Sequence, residues 1–140
     1  MPTAADPILL DTSAAVALAV SDHVHHDATL AALRGRKLGL AGHAAFEAYS
    51  VLTRLPGAQR LSPAAAARLL TTNFPHTRHL DAADAAALLP VLSAQRVAGG
   101  AVYDALVAMA ALSHGLVLVS RDLRAAQTYQ RLGVRLELLS

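Results

Sequence analysis

Two short, wholly apolar runs that each lead to an aspartate constrain this chain more than any other feature. Ile8-Leu9-Leu10 ends at Asp11, and Leu116-Val117-Leu118-Val119 is followed by Ser120-Arg121-Asp122. A strand with one wet face alternates apolar and polar residues, whereas a strand covered on both faces is apolar throughout. Two such runs predict a parallel sheet held between layers of helices. In sheets of that kind, sites form beyond the carboxyl ends of the strands, which is where both aspartates stand.

The sequence between the runs supplies the helices. A helix is expected over 14–20, with Thr12 and Ser13 as its caps, and another over 25–33, ending near Gly35. A third, over 44–55, stops at Pro56-Gly57, strong helix punctuation. Ser62-Pro63 has the form of an N-cap and first helical residue and opens a helix reaching about Asn73, ended by Pro75. Asp81 caps a helix over 82–97 that Pro90 should kink or split. Helices over 102–114, closed by Gly115, and over 123–132 complete the set. Further strand candidates are 37–41, 77–80 and the alternating 134–138, an edge strand by its pattern. Strands alternating with helices predict an α/β fold: one domain over 1–140, a three-layer α/β/α sandwich with a mostly parallel sheet of about five strands.

Composition closes off several functions. Apolar residues make up 54% of the chain, so a sizeable core is available and disorder is excluded. The absence of cysteine removes disulfides, thiolate metal sites and thiol catalysis. Apart from Lys37, the basic residues are scattered arginines, and the formal net charge is only +2. No apolar run approaches the ~18 residues of a membrane span. The polar start, Met1 to Asp6, carries no Lys or Arg and does not resemble a secretion signal, so a cytoplasmic protein is expected.

Two more acids stand out against apolar surroundings: Glu47 in Ala44-Ala45-Phe46-Glu47-Ala48-Tyr49, and Asp104 in Ala101-Val102-Tyr103-Asp104-Ala105-Leu106-Val107. An acid near a helix start also suits the positive end of the helix, so capping accounts for either residue taken alone. With Asp11 and Asp122 they compose a set of four carboxylates. Gathered in one pocket, these repel unless a cation or water is present. Oxygen ligands of this kind select Mg2+ or Mn2+. Such an ion lowers the pKa of a bound water and neutralises charge on a phosphate, the requirements of phosphodiester hydrolysis. No protein nucleophile is legible: Ser13 and Ser120 have no His–Asp arrangement around them. The histidines, including the adjacent His25-His26, lack the spacing of a zinc helix and suit surface or capping positions.

These residues resemble a known family. Leu9-Leu10-Asp11-Thr12-Ser13-Ala14 is similar to the opening of PIN domains. Phe46-Glu47-Ala48-Tyr49-Ser50-Val51-Leu52-Thr53-Arg54-Leu55-Pro56 resembles their second acidic motif, especially as found in VapC toxins of bacterial toxin–antitoxin pairs. Tyr103-Asp104-Ala105-Leu106-Val107-Ala108 resembles the third, and Ser120-Arg121-Asp122-Leu123-Arg124-Ala125 the fourth. The order and approximate spacing match over nearly the whole chain. The resemblance implies an α/β/α sandwich and a Mg2+- or Mn2+-dependent endoribonuclease that cuts structured RNA, transfer or ribosomal, and stops translation. It implies a VapB-type antitoxin partner and a homodimer, for which the apolar helix over 14–20 is a candidate face. It places metal binding on Asp11 and Asp104 first, with Glu47 and Asp122 completing the catalytic set. Ser120 is implied as an auxiliary hydroxyl at the metal and Thr12 as a support for the Asp11 loop. Arg121 and Arg124 are candidates for the RNA backbone.

Rival readings are weaker. A haloacid-dehalogenase-type phosphatase needs an aspartate two residues after Asp11, where Ser13 stands; a receiver domain needs a late lysine, and Lys37 comes early. A binding module without activity has no physical reason to keep four mutually repelling carboxylates.

Overall fold

The computed structural model describes Thr3 and residues 5–140; Met1, Pro2 and Ala4 of the polar start lie outside the described residues. Strand β1 (Ile8–Leu10) leads into α1 (Thr12–Ala19) and α2 (His26–Leu33). Then come β2 (Leu38–Leu40), α3 (Ala44–Thr53), a 3-10 turn (Gly57–Gln59) and α4 (Pro63–Asn73). The second half runs α5 (Ala82–Ala86), α6 (Leu88–Ala94), α7 (Ala101–Ser113), β3 (Leu118–Ser120), α8 (Leu123–Arg131) and β4 (Leu136–Leu138).

The described strands form one sheet of four, ordered β2-β1-β3-β4, with every pairing parallel. Leu9 pairs with Gly39 on one side and Leu118 on the other, so β1 and β3 are the central strands. Both are buried along their whole length, as their unbroken apolar runs require. The sheet separates two cores. Ile8, Leu10, Leu40 and Val119 point to one face, where α1, α3 and α4 cover them with Ala15, Leu52 and Leu70. Leu9 and Leu118 point to the other, under Val107 and Ala111 of α7 and Tyr129 of α8. Burying apolar surface on both faces at ~25 cal/mol per Å2 is the main force holding the three layers together.

Four strands, not about five, make up the sheet, and the difference lies in 77–80. That segment joins the outer edge of β2 through a single bridge, Ala41 to Arg78. His76 N–H donates to Leu38 O at 3.0 Å and Thr77 Oγ1 accepts from Leu40 N–H at 2.9 Å, so a side chain replaces one rung of a ladder. The approach is close enough that a Cβ on Gly39 would fall 2.2 Å from His76 O. Only glycine admits it.

The remaining differences are local. Asp11, not Thr12 or Ser13, caps α1: its side chain accepts from Ala14 N–H. Ser62 caps α4 with Pro63 in the first turn, as the sequence predicts. The expected 82–97 helix is two short ones meeting at Ala87. Pro90 explains the break, because it has no N–H to offer Ala86 O and its ring crowds that carbonyl. The predicted pairing face on α1 is largely used within the molecule, with Ala14, Ala15 and Ala17 fully buried. Among the described residues, no helix is long and apolar enough to cross a membrane.

Candidate metal centre and nuclease site

Parallel strands place all their carboxyl ends at one edge of the sheet. The helix that follows a strand begins at that edge, and so does the helix that leads into the next parallel strand, because it runs back antiparallel to it. Asp11 caps α1 directly after β1, and Asp122 caps α8 directly after β3. Glu47 lies in the first turn of α3, after β2, and Asp104 in the first turn of α7, which leads into β3. All four acids therefore sit at helix N-termini on the same edge. The connections after β1 and into β3 leave in opposite directions across the sheet, so this edge is also a topological switch point. Backbone N–H groups and helix dipoles there favour negative charge.

Asp11 is the most enclosed of the four, 3% exposed, and its oxygens are fully engaged. Oδ1 accepts from Ser13 Oγ at 2.6 Å and from Ala14 N–H at 3.0 Å. Oδ2 accepts from Ser120 Oγ at 2.5 Å and from the Tyr129 hydroxyl at 2.9 Å. Two oxygens have about four acceptor positions, so this carboxylate is fully hydrogen-bonded. Such a group is held in one orientation. Burial first, then Asp11 and the other acids, holds the Tyr129 phenol well above its ordinary range, so it is a permanent donor.

Ser120 links the two strand ends. While its hydroxyl donates to Asp11, its oxygen accepts from Asp122 N–H at 2.9 Å. Asp122 Oδ1 accepts from Arg124 N–H and Ala125 N–H, and its other oxygen lies 3.6 Å from Arg124 Nη2. Glu47 stands 3.9 Å from His43 Nε2, and the His43 ring stacks on Tyr103 at 5.3 Å between centroids. Asp104 is half-buried. Burial raises its carboxyl above the ordinary value first, then the negative charge of Asp122, with Glu47 and Asp11 adding to it; the Arg124 guanidinium opposes them. Asp104 thus senses all three other acids, and the structure brings the sequence-predicted set to one edge.

The auxiliary residues stand around this edge in different ways. Ser120 is a strut between carboxylates. Thr12 Oγ1 is buried without a hydrogen-bond partner, and it is Ser13 that supports Asp11. Arg121 turns inward, where its guanidinium reaches Thr29 Oγ1 and the Ser140 carbonyl and its backbone N–H donates to Ser13 Oγ. Arg124 is exposed. Sequence reasoning missed Tyr129. Its signal was the Ala125-Ala126-Tyr129 stripe, an aromatic on the apolar face of an otherwise polar helix.

The donor set consists of carboxylate oxygens, the chemistry of a hard divalent cation. Among the described residues, no three carboxylates or imidazoles close on one point as an all-protein cage.

The pattern that defines the PIN domain matches residues 8–130. Ribonuclease VapC27 of Mycobacterium tuberculosis is 48% identical over 128 residues, covering 91% of this chain and 93% of that protein. Ribonuclease VapC40 of the same species is 44% identical over 131 residues, covering 93% of this chain and 97% of its own length.

Proposed function

The chain belongs to the PIN-domain family, and from that premise we propose that it is a Mg2+- or Mn2+-dependent endoribonuclease, the toxin of a toxin–antitoxin pair. One observation carries the reading: Asp11, Glu47, Asp104 and Asp122 come from four different elements to one edge of the sheet, close enough that Asp104 feels the charge of the others. The VapC ribonucleases it resembles support RNA as the substrate.

Asp11 and Asp104 first, with Glu47 and Asp122 completing the set, are the residues that would hold the cation. When bound, the ion neutralises phosphate charge and lowers the pKa of a bound water. Each side chain then has a task. Asp11, pinned by four donors, fixes the local field and the start of α1. Asp104 takes the proton of the attacking water at a carboxylate oxygen. The water oxygen bonds to phosphorus opposite the 3′ oxygen, the P–O3′ bond breaks, and the leaving oxygen collects a proton. The products are a 5′-phosphate and a 3′-hydroxyl. Arg124 is free to approach the neighbouring backbone phosphates.

Residues 1–140 act as one domain in this reading, in the cytoplasm, where structured RNA (transfer or ribosomal) is cut and translation stops. A VapB-type antitoxin blocks the site, and the protein pairs as a homodimer through a surface other than the buried face of α1. Exposed Phe46 and Tyr103, 63% and 54% accessible, are available for such contacts. Purified protein incubated with total RNA, with Mg2+ or EDTA and beside Asp104→Asn, tests the proposal. Discrete cuts that require both the metal and Asp104 support it; equal cutting by the variant overturns it.

A further inference from the structure

Beside the carboxylates lies an open cleft of about 480 Å3. Its lining includes Val16 of α1, Val51 of α3, the imidazoles of His23 and His25, and the 121–124 segment. The volume falls within the range of small-ligand sites. Asp122 belongs to this lining, so the cleft opens directly onto the acidic edge.

Its chemistry is selective. The lining is mainly apolar, and Leu123 within it is 75% exposed. The His23 and His25 rings lie 5.7 Å apart. His23 Nδ1 accepts from His25 N–H, which in a neutral ring leaves Nε2–H as a donor. Burial, then the neighbouring His25, Arg121 and His26, hold the His23 imidazole below its ordinary value, with Asp22 opposing them, so the neutral ring is favoured. Across from it the Arg121 guanidinium is fixed by Thr29 and Ser140. Two lining residues carry buried polar atoms without a hydrogen-bond partner, Thr12 Oγ1 and Arg121 Nε.

We propose that this cleft is a subsite for one nucleotide of the RNA. The base lies over Val16 and Val51 against His23 and His25, and its phosphate lies on the Arg121–Arg124 rim beside the acidic site. Flat apolar surface, aromatic rings and fixed guanidinium planes are what proteins use to hold an unstacked base. A phosphate by itself would meet Asp122 and an apolar lining, so the base is the part that the cleft recognises. The assignment rests on the ribonuclease reading for the identity of its ligand, but binding is measurable without catalysis.

The test is an NMR titration in EDTA with AMP, GMP, CMP and UMP, and with ribose 5-phosphate as the probe lacking a base. At least one nucleotide should shift the ring signals of His23 and His25 and the methyl signals of Val16 and Val51. It should bind about tenfold or more tightly than ribose 5-phosphate, the scale of one stacked base. Val51→Trp, which fills the cleft, should abolish these shifts while its thermal midpoint stays near that of the parent; His23→Ala should weaken them. Equal binding of ribose 5-phosphate, or no shifts at these four residues, overturns the proposal and leaves the cleft to a protein partner. RNA cleavage measured on the same preparations separates the two readings. Nucleotide binding without cleavage keeps the subsite and removes the nuclease, and cleavage without base-dependent binding does the reverse.

Discussion

The Tyr129 hydroxyl donates to Asp11 Oδ2 at 2.9 Å, joining the end of the first strand to the last helix. The two residues are 118 positions apart. With Ser13, Ala14 and Ser120, the phenol completes the shell of donors around a carboxylate that is only 3% exposed. It also ties α8, and therefore Asp122, to the position of Asp11.

Tyr129→Phe keeps the ring in the core and removes only this donor. A hydrogen bond to a buried charge contributes about 1.5–3 kcal/mol. Urea unfolding of the variant should show a loss of that size at unchanged slope, and cleavage should fall because Asp11 is less firmly held. A midpoint equal to the parent's would mean that the bond contributes nothing.

Asp104→Asn should abolish cleavage and stabilise the metal-free protein. The folded carboxyl is raised above 3.8, chiefly by burial and Asp122, so folding favours its protonated form. The unfolded state then binds fewer protons than the folded one between the two values, and wild-type stability falls as pH rises through that window. Asparagine removes the dependence. Thermal unfolding in EDTA should show the variant ahead by a few °C near about pH 8, the advantage shrinking towards about pH 4; the half-exposed position keeps the effect modest. A variant less stable than wild type at both pH values would contradict this account of Asp104.

Removing divalent ions should stop cleavage, and either Mg2+ or Mn2+ should restore it. Binding to the folded state alone stabilises it by about 2.7 kcal/mol at a hundred times Kd. Calorimetry should therefore show a rise in the wild-type melting temperature with Mg2+ that is much reduced in Asp104→Asn and Asp122→Asn. An equal rise in all three proteins would place the ion elsewhere.

Gly39→Ala tests the fold away from the site. A Cβ there would fall 2.2 Å from His76 O and 2.6 Å from Thr77 N, backbone atoms that cannot swing aside. A loss of about 3 kcal/mol or more is expected, at the upper end for single substitutions, read from the denaturation midpoint. An unchanged midpoint would mean that the 76–78 segment is not docked against β2.

Much of this was legible in the sequence because the signals are local. The apolar runs around Leu9 and Leu118 gave two-sided burial, and Ser62-Pro63 and Gly115 gave helix ends. Asp11 and Asp122 gave the carboxyl ends of β1 and β3. Element boundaries moved by one to three residues where neighbouring cues competed. Asp11 took the cap that Thr12 or Ser13 had promised, because it stands where β1 must end. The expected strand at 77–80 shrank to one bridge, since Thr77 lends a side-chain oxygen where a strand would lend backbone.

By itself, the sequence determined the period of burial along each element, and with it the layered α/β architecture and the presence of four acids at element ends. Tertiary structure alone decided which donors each acid received. Strand order brings the end of β3 beside the end of β1, so Ser120 lies between Asp11 and Asp122. The packing of α8 on the sheet sets the Tyr129 hydroxyl on Asp11, and the inward turn of Arg121 shapes the cleft beside it. Periodicity follows from contacts a few residues apart, whereas a hydrogen bond across more than a hundred residues depends on where whole elements come to rest.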